Sequence, residues 1–152
     1  MTSLFANQRE SNLASTVALV EQALVHLGHA PEASRVTVPG VDQAWRIVIG
    51  SATTRIAVSR RAAFPHLRVS SVVMTLDPAV DRPALFAHLL DLNASLCGAA
   101  FATEGDDVLM VSERSTLDLD LSEVLELIHR VATYSDGHND VLVARFGGHP
   151  HR

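Results

Sequence analysis

Apolar residues recur every three or four positions near the start of the chain. They are Leu13, Val17, Val20, Leu24 and Leu27. This spacing is the period of one helix face. Ser11 or Asn12 precedes the stripe and has a side chain suited to a helix N-cap. Gly28 and Pro31 follow it, so the pattern predicts an amphipathic helix that ends near residue 28.

Alternation with a period of two replaces the helical period in the next part of the chain. Segments 44–50, 54–60 and 66–76 place apolar residues on one face and arginines among smaller side chains on the other. This pattern predicts three strands. The third strand changes phase near residues 70–73, which indicates a β-bulge, an extra residue that breaks the alternation.

Residues 83–112 predict a helix followed by a hairpin. Four leucines at helical spacing form one stripe: Leu85, Leu89, Leu92 and Leu96. Pro83 suits the first turn because its missing N–H would have no helical acceptor. Gly98 is expected to end the helix in the left-handed conformation. Segments 99–103 and 108–112 then predict two strands joined by a polar turn.

A last helix is predicted to begin at Ser122, which can act as its cap. Its buried side is expected to contain Val124, Leu125, Ile128, Val131 and Ala132. The pattern continues as far as residues 147–148. A glycine inside a helix costs about 1 kcal/mol relative to alanine. Gly137 therefore leaves two alternatives open, one long helix or two helices divided at that residue.

The order of predicted elements is α-β-β-β-α-β-β-α. Two groups of antiparallel strands with intervening helices predict an α+β fold, in which helices pack on one face of a five-stranded antiparallel sheet. We expect one domain over residues 11–148, with flexible termini at residues 1–10 and 149–152. A chain of 152 residues is long enough to bury a substantial core.

The opposite faces of the predicted strands are the candidate binding surface. They place arginines beside aliphatic side chains: Arg46, Val48, Arg55, Arg68, Val72 and Met74. A solvated sheet face is expected to be mostly polar. One interpretation is that arginine stems cover a few exposed methyl groups. The other is a partly apolar groove for a partner protein, in which the arginines complement an acidic segment.

Charge and composition narrow the possible partners. The net charge is −5, yet residues 43–76 contain five arginines and no acid, whereas residues 77–126 contain eleven acids and two arginines. This asymmetry either indicates two complementary surfaces or disappears when the chain folds. Few aromatic residues accompany the arginines, so we expect no direct binding to nucleic acid. We expect a cytoplasmic protein, since neither a membrane-spanning segment nor a secretory signal is evident.

The sequence contains no recognisable catalytic motif. It lacks a phosphate-binding glycine loop, an HExxH sequence and a nucleophile elbow. His26 with His29, and the alternating Asp136, His138 and Asp140, do not predict three or four convergent metal ligands. Cys97, the only cysteine, is expected to be a buried structural thiol. We therefore expect no metal, no cofactor and no enzymatic activity.

The second half of the chain resembles the YbjN-like proteins. The resemblance is carried by residues 89–93, the following glycine, the Phe101 hairpin that ends at residues 109–111, and a closing helix with Asp136 and Asp140. It implies the fold of type III secretion chaperones and a non-enzymatic homodimer that holds partner polypeptides. A likeness of fold does not by itself establish function.

The helix after Pro83 is the candidate dimer surface. Phe86 and Leu90 lie beside its main stripe, and Leu89 and Asn93 complete the expected interface. The alternative is that this helix simply has a wide buried face. Two other functions also remain open: a small-ligand sensor with a cavity between helix and sheet, and an accessory that acts beside nucleic acid through a DNA-binding partner.

Overall fold

The residues that the structure describes form four helices and seven strands. The computed structural model describes the backbone of residues 2–61 and 64–151, and the side chains of residues 10–60 and 64–151. The helices are α1 (Thr2–His26), α2 (Pro31–Ser34), α3 (Arg82–Asn93) and α4 (Leu121–Phe146). The strands are β1 (Arg35–Val36), β2 (Gln43–Ile49), β3 (Ala52–Arg61), β4 (Phe64–Thr75), β5 (Ala100–Glu104), β6 (Asp107–Ser115) and β7 (His149–Pro150).

The strands form a single antiparallel sheet in the order β1-β2-β3-β4-β6-β5. Strand β7 pairs with the end of β4, beyond the pair formed by Thr54 of β3 and Ser71 of β4. The predicted α+β class with an antiparallel sheet is confirmed. The strand number is seven instead of five, because β1 and β7 have two residues each and show no detectable alternation.

Helices α1 and α4 pack on one face of the sheet, which we call the inner face. Trp45, Ile56 and Val69 form one row across β2, β3 and β4, and none of the three side chains is exposed. The helices contribute Val20, Leu24, Ile128 and Val131 to the same core. The apolar stripe predicted for α1 is confirmed, since all five of its residues are in the core or pack against it.

A β-bulge in β4 changes which side chains point inward. The pairing of β4 with β6 shifts between Val72, which pairs with Leu109, and Met74, which pairs with Val108. The predicted phase change is therefore confirmed. The expected position of Met74 on the outer face is wrong, because the bulge turns its side chain into the core, where it is 0% exposed.

Helix α4 begins one residue before the predicted cap. Asp120 is the N-cap: its carboxylate accepts from the Glu123 N–H at 2.9 Å, and the Glu123 carboxylate accepts from the Asp120 N–H at 3.0 Å. The Ser122 hydroxyl and the Glu123 N–H lower the pKa of Asp120. The hydrogen bonds from the Arg114 guanidinium and the Asp120 N–H lower the pKa of Glu123. The helix then continues through Gly137, which settles the open choice in favour of one long helix.

Two other helix boundaries differ from the predicted ones. Helix α1 begins at Thr2 and runs through the segment expected to be flexible. Neither Ser11 nor Asn12 caps it, because both lie inside the helix. Helix α3 ends at Asn93, so Leu96 and Gly98 lie outside it. Gly98 has the expected left-handed φ of 69°, but it follows a short irregular segment instead of the last helical turn.

The C-terminal segment folds back onto the sheet, although it was expected to be flexible. Gly147 and Gly148 both have φ of +82°, a conformation that favours glycine, and they reverse the chain after α4. His149 then pairs with Thr75, and Pro150 pairs with Met74. This arrangement places the half-buried His151 beside the outer face of the sheet.

Candidate functional site

The face of the sheet opposite α1 and α4, which we call the outer face, presents three rows of side chains. An apolar row contains Val48, Val72 and Leu109, with Thr53 opposite Val48. The next row contains Arg46, Arg55, Ser70 and Val111, which pair successively across β2, β3, β4 and β6. The third row contains Ala57, Arg68 and Glu113. The outer face therefore combines aliphatic and cationic side chains.

Arg46 and Arg55 are adjacent charges of the same sign. They are direct cross-strand partners, and both side chains are exposed. Within the described part of the chain, neither forms an ion pair or a side-chain hydrogen bond. Like charges placed directly opposite each other destabilise a sheet. The two arginines thus leave uncompensated positive charge at one point of the outer face.

Arg68 lies on the same face but is already neutralised. Its Nη1 donates to Oε2 of Glu113 at 2.8 Å, and the two residues are direct cross-strand partners. Arg60 likewise pairs with Asp42, to which its Nε donates at 2.8 Å. Burial acts to raise the pKa of Asp42, but hydrogen bonds and charge from Arg60 lower it overall. Because Glu113 already neutralises Arg68, Arg68 is a matched control for Arg46 and Arg55.

A pocket of about 330 Å³ opens on the outer face around the arginine pair. Ser70, Val72 and the 4%-exposed Leu109 line its floor. Residues 36–38 line the pocket as β1 leaves the sheet, and His151 lines it from the C-terminal segment. Asp107 also lies in the lining, where its carboxylate accepts from the Thr75 hydroxyl at 2.6 Å.

Five of the six residues predicted for partner binding lie on the outer face, and Met74 is the exception described above. Arg46, Arg55 and Val72 line the pocket. Val48 lies on the same face and is 57% exposed, whereas Arg68 is occupied by Glu113. Leu109 and His151 also line the pocket, although neither was predicted as a binding residue. The alternation of residues 108–112 could have indicated an outward Leu109, but nothing in the sequence indicates that the C-terminal segment returns to the sheet.

The residues predicted for the dimer interface line a second groove, between α3 and the edge strand β5. Its volume is about 190 Å³, and Phe86, Leu89, Leu90 and Asn93 contribute to it. Leu90 is 69% exposed, but Leu89 is only 4% exposed and belongs mainly to the core. The Asn93 amide accepts from the Phe101 N–H at 2.7 Å and donates to the Phe101 carbonyl at 3.2 Å, so it satisfies part of the β5 edge.

A third, shallower groove follows α1 and includes Val25, Pro31 and Leu121. Val25 is 63% exposed, close to the exposure of Val48 on the outer face. The residues that line this groove include no arginine. It is the alternative to the outer face as a binding site for a partner polypeptide. It therefore provides a control position of matched residue type and exposure.

The residues considered for metal or acid–base chemistry do not converge. Among the described residues, no group of three His, Cys, Asp or Glu side chains could hold a metal ion. Asp136 instead accepts from the N–H and hydroxyl of Ser51 and so attaches the β2–β3 turn to α4. Cys97 is exposed, so the expected burial of its thiol is wrong. None of the described helices is both long and apolar enough to span a bilayer.

Comparisons with known proteins give a family and a fold. A family model described as "TY-Chap1: T3SS (YopN, CesT) and YbjN peptide-binding chaperone 1" matches residues 14–152. A chain in the crystal structure of the ExsC–ExsE complex has a TM-score of 0.63 at 10% identity, over 85% of this chain and 94% of the other. A chain in the HopA1–SchA chaperone–effector complex has a TM-score of 0.58 at 16% identity, over 86% and 97%. No curated protein matches the chain.

Proposed function

The chain belongs to the TY-Chap1 family of peptide-binding chaperones, which are non-enzymatic, and we propose that it is a homodimer that holds an extended segment of a partner polypeptide against its outer face. The family match confirms the resemblance to YbjN-like proteins. Both solved structures compared above are complexes of two proteins, and one is described as a chaperone with its effector. Those complexes support a polypeptide ligand for this chain.

The observation that supports the proposal is the partly open outer face, whose lining mixes aliphatic and cationic side chains. Helices cover the inner face, whereas Val48 on the outer face keeps 57% of its surface exposed beside two unpaired arginines. An exposed apolar patch with a polar margin is typical of a protein interaction site. An extended segment suits such a surface because alternate side chains point to one side and can occupy successive rows.

The binding energy would come mainly from aliphatic anchors on the apolar row. Burial of apolar area contributes about 25 cal/mol per Å². Part of this is offset by the entropy lost when a flexible segment is ordered. The site therefore suits moderate affinity for exposed segments of a partner. A charged substitution on the apolar row is expected to remove most of the binding.

We expect Val48→Glu to weaken peptide binding by at least tenfold. The substitution places a charge on the apolar row and leaves the core untouched. A random twelve-residue peptide library displayed on phage supplies the ligand, and fluorescence polarisation of the selected peptides measures the affinity. Val25→Glu is the control, because it introduces the same charge at similar exposure on the α1 groove and is expected to preserve binding.

Three outcomes of this experiment separate the alternatives. Tight peptides that lose affinity only for the Val48→Glu protein support the outer face. Tight peptides that lose affinity only for the Val25→Glu protein would move the site to the α1 groove. Failure to select any peptide at concentrations up to hundreds of micromolar would contradict a polypeptide-holding function altogether.

The groove between α3 and β5 is the proposed dimer surface. Leu90 is the most exposed of the large hydrophobic side chains described, at 69%. It lies beside Phe86 and the edge strand β5, so a second copy could cover an apolar patch and a sheet edge together. The side-chain amide of Asn93 already forms hydrogen bonds with the backbone of Phe101 in the same chain. Contacts between copies would therefore centre on Phe86 and Leu90.

Leu90→Glu is expected to convert the dimer into a monomer. A glutamate in the centre of a two-fold interface would face its own copy across a poorly solvated contact. Size-exclusion chromatography with light scattering measures the mass, with Val141→Glu as the control because Val141 is 61% exposed on α4. A wild-type protein that is monomeric at 100 µM would contradict the dimer.

A further inference from the structure

The pocket around Arg46 and Arg55 carries information about the chemistry of the partner. On the premise that the outer face holds a polypeptide, we infer that it recognises one carboxylate side chain together with one aliphatic side chain two residues away. The carboxylate would bind between Arg46 and Arg55, and the aliphatic side chain would lie on Val72 and Leu109.

The charges in the pocket are the reason to expect a carboxylate in the bound segment. Arg46 and Arg55 are direct cross-strand neighbours without an ion-pair partner among the described residues, so an anion bound between their side chains would relieve their repulsion. Hydroxyl groups of Thr53 and Ser70 also line the pocket and can donate hydrogen bonds. Charge-assisted bonds of this kind are stronger than neutral ones.

The charge balance favours a carboxylate over a phosphate. Asp107 lines the same pocket, and its negative charge reduces the formal excess of the two arginines to one unit. A carboxylate carries one negative charge, whereas a phosphate ester carries about two at neutral pH. A dianion would place its additional charge near Asp107. One acidic side chain is therefore the better match.

The spacing follows from the rows of the sheet. Arg46 and Val48 are two residues apart on β2, and Ser70 and Val72 are two residues apart on β4. Each row is therefore separated from the next by about 7 Å along the strand direction. An extended segment that runs along the strands presents its alternate side chains at the same interval. An acidic residue over the arginines thus places an aliphatic residue, two positions away, over the apolar row.

The pocket volume agrees with this assignment. At about 330 Å³ it lies near the lower limit of the roughly 300–1,000 Å³ that small-molecule pockets occupy. It is bounded by residues 36–38 and by His151, and its floor is formed partly by Leu109, which is 4% exposed. This shape suits a few side chains of an extended segment.

Four labelled nine-residue probes in a serine–glycine background test the inference by fluorescence polarisation. The first contains Glu-Thr-Val, the second Gln-Thr-Val, the third adjacent Glu-Val, and the fourth phosphoserine-Thr-Val. We expect the first probe to bind at least tenfold more tightly than the second and at least fivefold more tightly than the third and fourth. Its affinity is also expected to fall as the salt concentration rises.

Substitutions in the chain test which residues produce the preference for the Glu-Thr-Val probe over the Gln-Thr-Val probe. Arg46→Gln and Arg55→Gln should each weaken binding of the Glu-Thr-Val probe at least fivefold, with little effect on the Gln-Thr-Val probe. Arg68→Gln is the matched control and should preserve the preference, because Glu113 already neutralises Arg68. The double variant Arg46→Glu/Arg55→Glu should instead prefer a Lys-Thr-Val probe. Thermal unfolding of each variant confirms that it folds.

Each result that differs from these expectations overturns one part of the inference. Equal binding of the Glu and Gln probes, while phage-selected peptides still bind the outer face, overturns the carboxylate site and leaves the proposed function intact. Equal binding of the spaced and adjacent probes overturns the two-residue spacing. Tighter binding of the phosphoserine probe assigns the pocket to a dianion and overturns the carboxylate assignment. If the Arg68→Gln protein also lost its preference for the Glu probe, the assignment of the carboxylate site to Arg46 and Arg55 would be overturned.

Discussion

Replacement of Met74 with aspartate is expected to lower the free energy of unfolding by roughly 4 kcal/mol, whereas Val72→Asp should lower it by about 1 kcal/mol or less. The two positions are separated by one residue on β4, and simple alternation would place them on the same face. The β-bulge between them gives them opposite environments. The pair of substitutions therefore tests the register of the central strand.

The difference arises from what surrounds each side chain. Met74 is 0% exposed on the inner face, so a carboxylate there would be desolvated without a cationic partner. Val72 lies on the outer face in the pocket that contains Arg46 and Arg55, where a carboxylate remains near solvent and near positive charge. Since single domains are stable by about 5–15 kcal/mol, a loss of roughly 4 kcal/mol can unfold the protein.

Urea denaturation followed by circular dichroism measures both variants. Val72→Asp is also expected to abolish binding of selected peptides while the protein stays folded, because it removes an aliphatic contact and occupies the anion site. Equal destabilisation by the two substitutions would contradict the bulge. A folded Met74→Asp protein that no longer binds peptide would return Met74 to the binding surface.

Replacement of Gly148 with alanine is expected to detach β7 from the sheet and to cost about 2–3 kcal/mol. Its φ of +82° is strained for any residue with a Cβ atom. In addition, a Cβ atom there would lie 2.8 Å from the Thr75 carbonyl oxygen and 2.9 Å from the Met74 Cε atom. The first contact is with backbone of β4, so the C-terminal segment must move away.

Gly147→Ala separates the two causes of this effect. Gly147 has the same φ of +82°, but an added Cβ atom would meet only the Val80 side chain, at 3.9 Å. We expect Gly147→Ala to cost only the conformational strain, about 1–2 kcal/mol. Hydrogen exchange of the His149 and His151 amides should become fast in Gly148→Ala and stay slower in Gly147→Ala. Equal exchange in the two variants would contradict the role of the close β4 contact.

Periodicity alone was sufficient to predict the long elements of the fold. The stripe from Leu13 to Leu27 and the alternation of residues 44–60 are local patterns, because each reflects one buried face of a single element. The bulge was also detectable as a change of phase. Its exact effect was not, because the position of the extra residue depends on how β4 pairs with β6, and Met74 was consequently placed on the wrong face.

Properties that depend on distant pairing could not be obtained from the sequence. Arg68 is neutralised by Glu113, which lies 45 residues away and becomes its neighbour only through the β4–β6 pair. Among the described residues Arg46 and Arg55 have no such neighbour, so the sequence could not distinguish paired from unpaired arginines. The return of the C-terminal segment depends on two glycines and four backbone residues, which leave no periodic signal.

The start of α4 shows the same limit at short range. Ser122 and Asp120 are both suitable N-cap residues, and Glu123 is the third residue after Asp120, which completes a capping box. The spacing of Asp120 and Glu123 was therefore a signal that favoured Asp120 over Ser122. The continuity of the helix through Gly137 has a different origin, since packing of both flanking segments on the sheet outweighs a local cost of about 1 kcal/mol.

Photo-crosslinking from the outer face tests the central proposal most directly. A benzoylphenylalanine is introduced at Val48 in one protein and at Val25 in another, and each is irradiated with the tightest phage-selected peptide. We expect a crosslinked product from position 48 that an excess of unlabelled peptide suppresses, and none from position 25. A specific product from position 25 with none from position 48 would show that the sheet's outer face is not where the polypeptide binds.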